Sequence, residues 1–453
     1  MSITLTLGAE NVIPGCQDVH PFRFCDGTIA VKGAWTSDGG GTWGPTPIGG
    51  RVDPGPGCAS GEQVATYTDG NGGIIALQAT MTGEMSPYAL PYRMSTNDWG
   101  AVSSLSGACT APDAKPFTGD AGDTSPAYIE HHGVQFTDTG ELIATFFGNN
   151  VGDTRLYDGY PAVYGAIKSR SIVMYSPPPY GSTWGNAKTI GYDKMLVRGT
   201  QPDAQGWDLA EAPTLDQEGM NEAGMCREGP PNRHYLVAVR SGSRKSVATA
   251  PVPHTPIYLI RSPNGYDWDL PRATAPVGSQ NSGIIRSAST RLAVLGNGVV
   301  CMTFCEPYGY VAFSEDGGRS GWGTVLKLTN SGNDLDLVQI GWNTVLLVYY
   351  STTAGDFVAR QIVVDVDGQQ NNAYIQTIAT PWGVKSGRSA LLQWFSIRAT
   401  NLKLNGGPYT NLSVNPNSYK TTGMLSATTE FTLSGTSTVD SSPVSTPLEV
   451  RVS

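Results

Sequence analysis

An all-β fold assembled from a repeated four-stranded unit is predicted by three observations. First, 56 glycines and 31 prolines against only 15% charged residues supply many turns and leave few positions for long amphipathic helices. Second, one turn motif recurs, and its fullest copy, residues 36–43, reads T-S-D-G-G-G-T-W. A short Asp carboxylate in a tight turn accepts hydrogen bonds from nearby amides, glycines take the positive-φ positions, and the Trp covers the apolar side of the turn. Third, strand-like apolar runs lie between the copies, most of them entered through an Asp- or Asn- and Gly-containing turn.

Taken in order, the degenerate copies are 95–99 (S-T-N-D-W), 176–184 (S-P-P-P-Y-G-S-T-W), 262–268 (S-P-N-G-Y-D-W) and 314–322 (S-E-D-G-G-R-S-G-W). Five copies spaced about 50 to 90 residues apart fit one per blade of a β-propeller. The strand-like runs are 28–34, 73–80, 141–147, 235–240, 298–304 and 344–350, and 357–366 completes a sixth blade that has no turn motif. The prediction is a six-bladed propeller over residues 1–388. A seventh blade stays open if one of the long intervals hides a short one. Over 389–453 Lys and Glu become scarce, Ser, Thr, Asn and Gly dominate, and alternation returns at 395–404 and 430–433. This segment reads as a small β appendage that stabilises the propeller, contacts an assembly or binds a ligand.

The net charge of −9 and the lack of any basic run argue against nucleic acid and anionic membrane as partners. No stretch approaches the roughly 18 apolar residues that span a bilayer. Residues 1–15 lack the basic and apolar regions of a secretion signal. The expected location is extracellular or on a virion or cell surface, reached after removal of a signal or by lysis. Seven cysteines (16, 25, 58, 109, 226, 301, 305) are odd in number and show no metal-ligand spacing, so no essential disulfide framework is expected. No cofactor is called for. A structural calcium ion near Asp120 and Asp123 is the single metal reading the composition permits.

The motif of 36–43, with Ser/Thr first, Asp third, Gly fifth, Thr seventh and Trp eighth, resembles the Asp-box of the sialidase superfamily, the BNR-repeat propellers. In that family three arginines clamp a substrate carboxylate, a Tyr assisted by a Glu is the nucleophile, and an Asp is the acid/base. The resemblance puts Arg23, in H-P-F-R-F just before the first strand, at the first clamp position. It puts Glu222 in the tyrosine-assisting role and Arg240, in the V-R-S that ends the next strand, at the second clamp. Arg286, in S-G-I-I-R-S, is the third clamp, with Arg291 as runner-up. The family's tyrosine is missing where G-N-D-L-D stands at 332–336, and Asp334 or Asp336 takes its place as nucleophile or general base. The acid/base falls on Asp53 by position, with Glu84 as another candidate.

Two further signals come from the residues themselves. His131, in E-H-H-G at a strand entrance, is suited to acid/base work or to gripping a sugar hydroxyl. Tyr88, Tyr92, Tyr157, Tyr160, Tyr164, Trp207 and Tyr308, all in expected loops, suit sugar stacking and protein contacts alike. The resulting expectation is a sialidase-like, glycan-directed hydrolase acting on an acidic sugar, with a glycan or glycoprotein as partner. A lyase using His131 and a tyrosine is the lesser enzymatic variant. The rival expectation is a non-catalytic glycan- or receptor-binding propeller, held to a particle by its C-terminal segment.

Overall fold

The computed structural model describes residues 2–51, 61–68, 70–82, 86–93, 98–99, 103–104, 117–118, 128–150, 170–178, 180, 184–191, 217–229, 233–243, 257–273, 290–305, 308–329 and 335–453. The described residues form strands and turns, with one short 3-10 turn at Ile48–Gly50. No helix among them is long and apolar enough to cross a membrane.

Six sheets follow one another along the chain, each an antiparallel meander. Sheet 1 holds Phe22–Arg23, Ile29–Val31 and Ala34–Thr36. Sheet 2 holds Gly61–Thr68, Ile74–Thr82, Ser86–Arg93 and Asp98–Trp99. Sheet 3 holds Tyr128–Phe136, Leu142–Asn150, Arg170–Ser176 and Gly185–Gly191. Sheet 4 holds Gln217–Arg227, Tyr235–Ser243, Tyr258–Ser262 and Arg272–Ala273. Sheet 5 holds Arg291–Val294, Val300–Phe304, Tyr310–Ser314 and Thr324–Lys327. Sheet 6 holds Leu335–Gln339, Thr344–Ser351 and Asp356–Val366. Its fourth strand comes from the other end of the chain: Ile3–Val12 pairs antiparallel with Asp356–Val366, from Ile3 opposite Val366 to Val12 opposite Val358.

The expected apolar runs cover the second strand of each sheet, and 357–366 is the third strand of sheet 6. Thr344–Ser351 illustrates why they are so apolar: Val345 to Tyr349 are all buried, on both faces. A strand covered on both sides reads as a continuous apolar run instead of an alternation.

Hydrophobic cores lie between consecutive sheets. Phe22, Phe24 and Trp35 of sheet 1 meet Ala76 of sheet 2. Tyr67 and Ile75 meet Phe136 and Phe146, Val173 meets Val237 and Tyr258, and Leu236 meets Met302. Cys301 and Phe313 meet Leu337 and Leu347. A sixth core joins Leu346 and Val348 of sheet 6 back to Ile29 and Val31 of sheet 1. The first strands make the same circuit, each in contact with that of the next sheet, and Leu335–Gln339 touches Phe22–Arg23.

The recurring turns at 36–43, 262–268 and 314–322 follow the third strands of their sheets. In the fullest copy Asp38 Oδ1 accepts from the Thr36 hydroxyl at 2.7 Å and from the amides of Gly41 and Thr42 at 2.9 and 3.0 Å. Its Oδ2 accepts from the Thr42 hydroxyl at 2.7 Å. Asp316 repeats this with Ser314 and the amides of Arg319 and Ser320, and Asn264 does so with the amides of Tyr266 and Asp267. Trp322 and Trp184 are buried beside their turns. The fifth turn also clasps its neighbour, since Arg319 donates through both terminal nitrogens to the buried Glu228 of sheet 4, at 2.8 and 2.7 Å.

Residues from Tyr374 onward build two further sheets. One contains Tyr374–Thr380, Leu391–Ile397 and Tyr419–Thr421. The other contains Gly383–Val384, Ala399–Gly406, Tyr409–Ser413, Thr429–Ser437 and Pro443–Val452. Their shared core includes Trp394, Phe431, Leu404 and Val450, and also Ile375, Ala379 and Val384 from before residue 389. This unit docks on turns of the earlier sheets with little space to spare. A Cβ on Gly383 would overlap the Asp138 carbonyl, and one on Gly140 would overlap the Gly383 carbonyl. The Thr68 hydroxyl bonds Ser389 at 2.9 Å. The described cysteines 16, 25, 226, 301 and 305 carry free thiols; burial, then the nearby Asp26 charge, pushes Cys25 up to about 12.

Two outcomes are expected. Burial alone would raise the pKa of Asp38, but the donors of Thr42, Thr36 and Gly41 outweigh it and hold the group at about 2, below its ordinary 3.8. The Asp38 bonds therefore contribute fully above pH 3.8 and are lost as pH falls towards 2. Asp38→Ala should lower unfolding stability by about 1 kcal/mol near neutral pH. Denaturant titrations should find that gap closing in this acid window. Gly383→Ala should cost about 1–3 kcal/mol through overpacking, read as a lower midpoint for the C-terminal unit.

Candidate functional site

The first strands begin at a common end of the six sheets, where charged residues from three of them meet. His20 stands two residues before Phe22–Arg23, and the following Pro21 commits the chain to the extended entry into that strand. Asp336 is the second residue of Leu335–Gln339, and Arg291 opens Arg291–Val294. His20 Nδ1 lies 3.1 Å from Asp336 Oδ2, and its Nε2 lies 3.2 Å from Asp18 Oδ1. Arg291 Nε is 3.9 Å from the same Asp336 oxygen, and Asp336 Oδ1 accepts from the Leu337 amide at 2.6 Å.

Asp336 is fully buried, Arg291 is 3% exposed and the His20 side chain is 12% exposed. A carboxylate without solvent requires compensating charge and hydrogen bonds, which His20, Arg291 and the Leu337 amide supply. Of the group, His20 and Asp18 retain contact with the outside. The geometry therefore makes Asp336 a positioning residue: it fixes the ring of His20 and the guanidinium of Arg291 rather than presenting its own oxygens to a ligand.

Arg240 lies at the same end. It is half-buried near the finish of Tyr235–Ser243, opposite Asn221 in the strand pairing. Sheet 5 abuts this point, because the Thr290 hydroxyl donates to the Ala238 carbonyl at 2.8 Å, two residues before Arg240 and one before Arg291. Glu222 and His131 are placed as strand residues, with side chains outside the described set. Both fall on irregularities in the pairing of first strands, between Asn221 and Gly224 and between Ile129 and Val134. Gly61–Thr68 has a third such irregularity, between Gln63 and Ala65. Each irregularity interrupts the regular pairing of a first strand with its neighbour.

Arg23 is elsewhere. Its guanidinium lies 4.5 Å above the ring of Phe395, in the C-terminal unit. Burial brings its pKa from the ordinary 12.5 to about 10, against the opposing influence of Cys25 and Asp26, so it remains a cation at neutral pH. The cation–π contact ties sheet 1 to the C-terminal unit. Arg286, Asp53, Asp334, Glu84, Asp120 and Asp123 lie outside the described residues.

Two members of the cluster escaped the sequence reading as site residues. His20 was visible only as part of the motif around Arg23, and Asp18 had no motif at all. The signal that was available is D-x-H-P immediately before a strand, a spacing that lets both side chains reach one point.

Comparison with known proteins gives distant likenesses. No protein-family model and no curated protein matches the chain. Among solved structures it is similar to a protein of unknown function from Dyadobacter fermentans, with 14% identity over 80% of this chain and 92% of that one, at a TM-score of 0.42. It is also similar to the GH43_1 enzyme from Xanthomonas citri complexed with xylose, at 10% identity over 68% of this chain and 88% of that one, with a TM-score of 0.33. A sialidase covers 86% of this chain and 44% of its own at 11% identity, with a TM-score of 0.27. At these scores the comparisons assign neither an architecture in detail nor an activity.

Removing the Asp336 carboxylate should take from His20 and Arg291 the one buried carboxylate that they share. Asp336→Ala is expected to cost about 3–5 kcal/mol, as for other broken buried pairs, measurable as a drop in the denaturant midpoint. A loss under about 1 kcal/mol would mean that the cluster is solvated and weakly coupled.

Proposed function

We propose that the chain is a six-bladed propeller of the sialidase superfamily with an appended β unit beginning at Tyr374, and that it is a glycan-directed glycoside hydrolase acting on an acidic sugar. The observation that carries this reading is the meeting of His20, Asp336 and Arg291 at the end where the first strands start, with Arg240 at that same end. Guanidinium groups match sugar carboxylates, and a histidine held by a buried carboxylate suits proton transfer.

In this reading Arg240 binds the substrate carboxylate. His20, oriented by Asp336, exchanges a proton with the glycosidic oxygen or with water. Glu222 and His131, on the two strand irregularities, are the candidates for the second acid/base group. Arg286 and Asp53 are the remaining candidates for substrate contact and for the acid/base. The recurring turns are then Asp-boxes, which organise the sheets and take no part in the reaction. The reading carries with it an extracellular or surface location, where glycans are met.

A second reading is favoured by the full burial of Asp336: the cluster is purely structural, and the same face binds glycan without cleaving it.

The test is glycan release from sialylated and uronic-acid oligosaccharides by the intact protein, by His20→Asn and by Arg240→Ala, with binding measured on the same samples. Release that falls by about 100-fold or more in both variants is the expected result. Binding without release in the intact protein would establish the second reading. Release undiminished in both variants would overturn the site assignment.

A further inference from the structure

The opposite end of the sheets holds a cavity of about 510 Å³ between them and the C-terminal unit. Its walls come from the turns that close the first strands of sheets 2 and 3, from the segment after the third strand of sheet 3, from Tyr266 of sheet 4, and from residues 383–389. The volume suits one or two sugar rings.

The lining is built from three kinds of group. Tyr266 is held in place by a stacked partner, Tyr175, with centroids 5.0 Å apart and planes at 15°. Its hydroxyl donates to Glu141 Oε2 at 2.6 Å and lies 2.5 Å from the Thr139 hydroxyl. Tyr180 forms a buried wall, its hydroxyl donating to the Gly140 carbonyl at 2.6 Å. Lys385 and Arg388 are exposed at the rim contributed by the C-terminal unit. Arg388 donates to Asn71 at 3.2 Å, and neither cation has a carboxylate partner among the described residues.

Among the described residues, therefore, two cations without carboxylate partners face one cleft, on a chain of net charge −9. Space has been kept for one of them, since a Cβ on Gly70 would stand 2.8 Å from Arg388 Cδ. Aromatic walls suit sugar faces, the Glu141–Tyr266–Thr139 group suits sugar hydroxyls, and the cations suit an acidic substituent.

We propose that this cleft is a binding site for an acidic saccharide, with its carboxylate or sulfate held by Lys385 and Arg388 and its hydroxyls by Glu141, Tyr266 and Thr139. The site lies at the far end from His20 and Asp336 and performs no chemistry. It anchors an acidic glycan to the junction between the sheets and the C-terminal unit.

The test is calorimetric titration of the full chain with digalacturonate, sialyllactose and neutral lactose. Lys385→Ala/Arg388→Ala, Tyr266→Phe and Arg240→Ala are titrated in parallel, with thermal unfolding to verify folding. Binding of at least one acidic probe, weakened at least about tenfold in the double variant and by rising salt, is expected. Tyr266→Phe, which removes a single hydroxyl, should weaken it by a smaller factor. Arg240→Ala should retain this binding whatever it does to glycan release, which separates the proposal from the hydrolase reading. Binding of lactose as tight as that of the acidic probes would overturn the proposal. So would an unchanged affinity in a folded double variant, or no binding of any acidic probe.

Discussion

Every sheet in the first part of the molecule has two apolar faces, and no sheet covers itself. That constraint dictates the rest. A small meander with apolar residues on both sides of its second strand is stable only between two others, so each core is shared by two neighbours. A linear stack would leave two faces bare. The core that joins Leu346 and Val348 to Ile29 and Val31 covers both at once, and the loan of Ile3–Val12 to sheet 6 supplies that sheet's outer edge from the start of the chain. The turns are subordinate to this. Asn264 and Asp316 fix the path from third to fourth strand, and Asp38 the turn after the third strand of sheet 1, so that Trp side chains pack beside the cores.

The same arrangement explains the location of charge. First strands crowd together, and Asp336 among them is fully buried. Asp336 is tolerated there because His20 arrives from the preceding loop of sheet 1 and Arg291 from the start of sheet 5. Three sheets thus contribute to one cluster, and its geometry depends on all of them being in place. At the other end the first-to-second-strand turns are free to receive another body. The C-terminal unit uses them, with glycine against backbone at Gly140 and Gly383 and guanidinium against ring at Arg23 and Phe395.

Much of the fold could be read from the residues because double burial writes itself as apolar runs. The second strands stood out for this reason, as did the turns, whose Asp, Gly and Trp have local work to do. First strands were harder: irregular at Asn221–Gly224 and Ile129–Val134, and mixed in polarity where they meet charge. Function was read less well than fold. Asp336 and Arg240 were named, yet the burial that makes Asp336 a holder of other side chains depends on neighbours hundreds of residues away. Arg23 looked like a substrate clamp because it preceded a strand. Nothing local announced that Phe395 would cover it. The start of the C-terminal unit was placed late because Tyr374–Thr380 resembles the strands before it, and only its partners reveal which core it joins.

The outer strand of sheet 6 also has a consequence in time. Ile3–Val12 is made before every other described strand, and its partner, Asp356–Val366, is the last strand of the six sheets to follow. During synthesis the strand must wait, unpaired, through the making of more than three-quarters of the chain. Its polar residues Thr4, Thr6, Glu10 and Asn11 suit it to that interval, and Ile3 and Leu5 pack against the core of sheet 6 once that sheet exists. The strand that completes sheet 6 is thus one whose composition suits waiting, and sheet 6 is complete only when strands far apart in sequence meet.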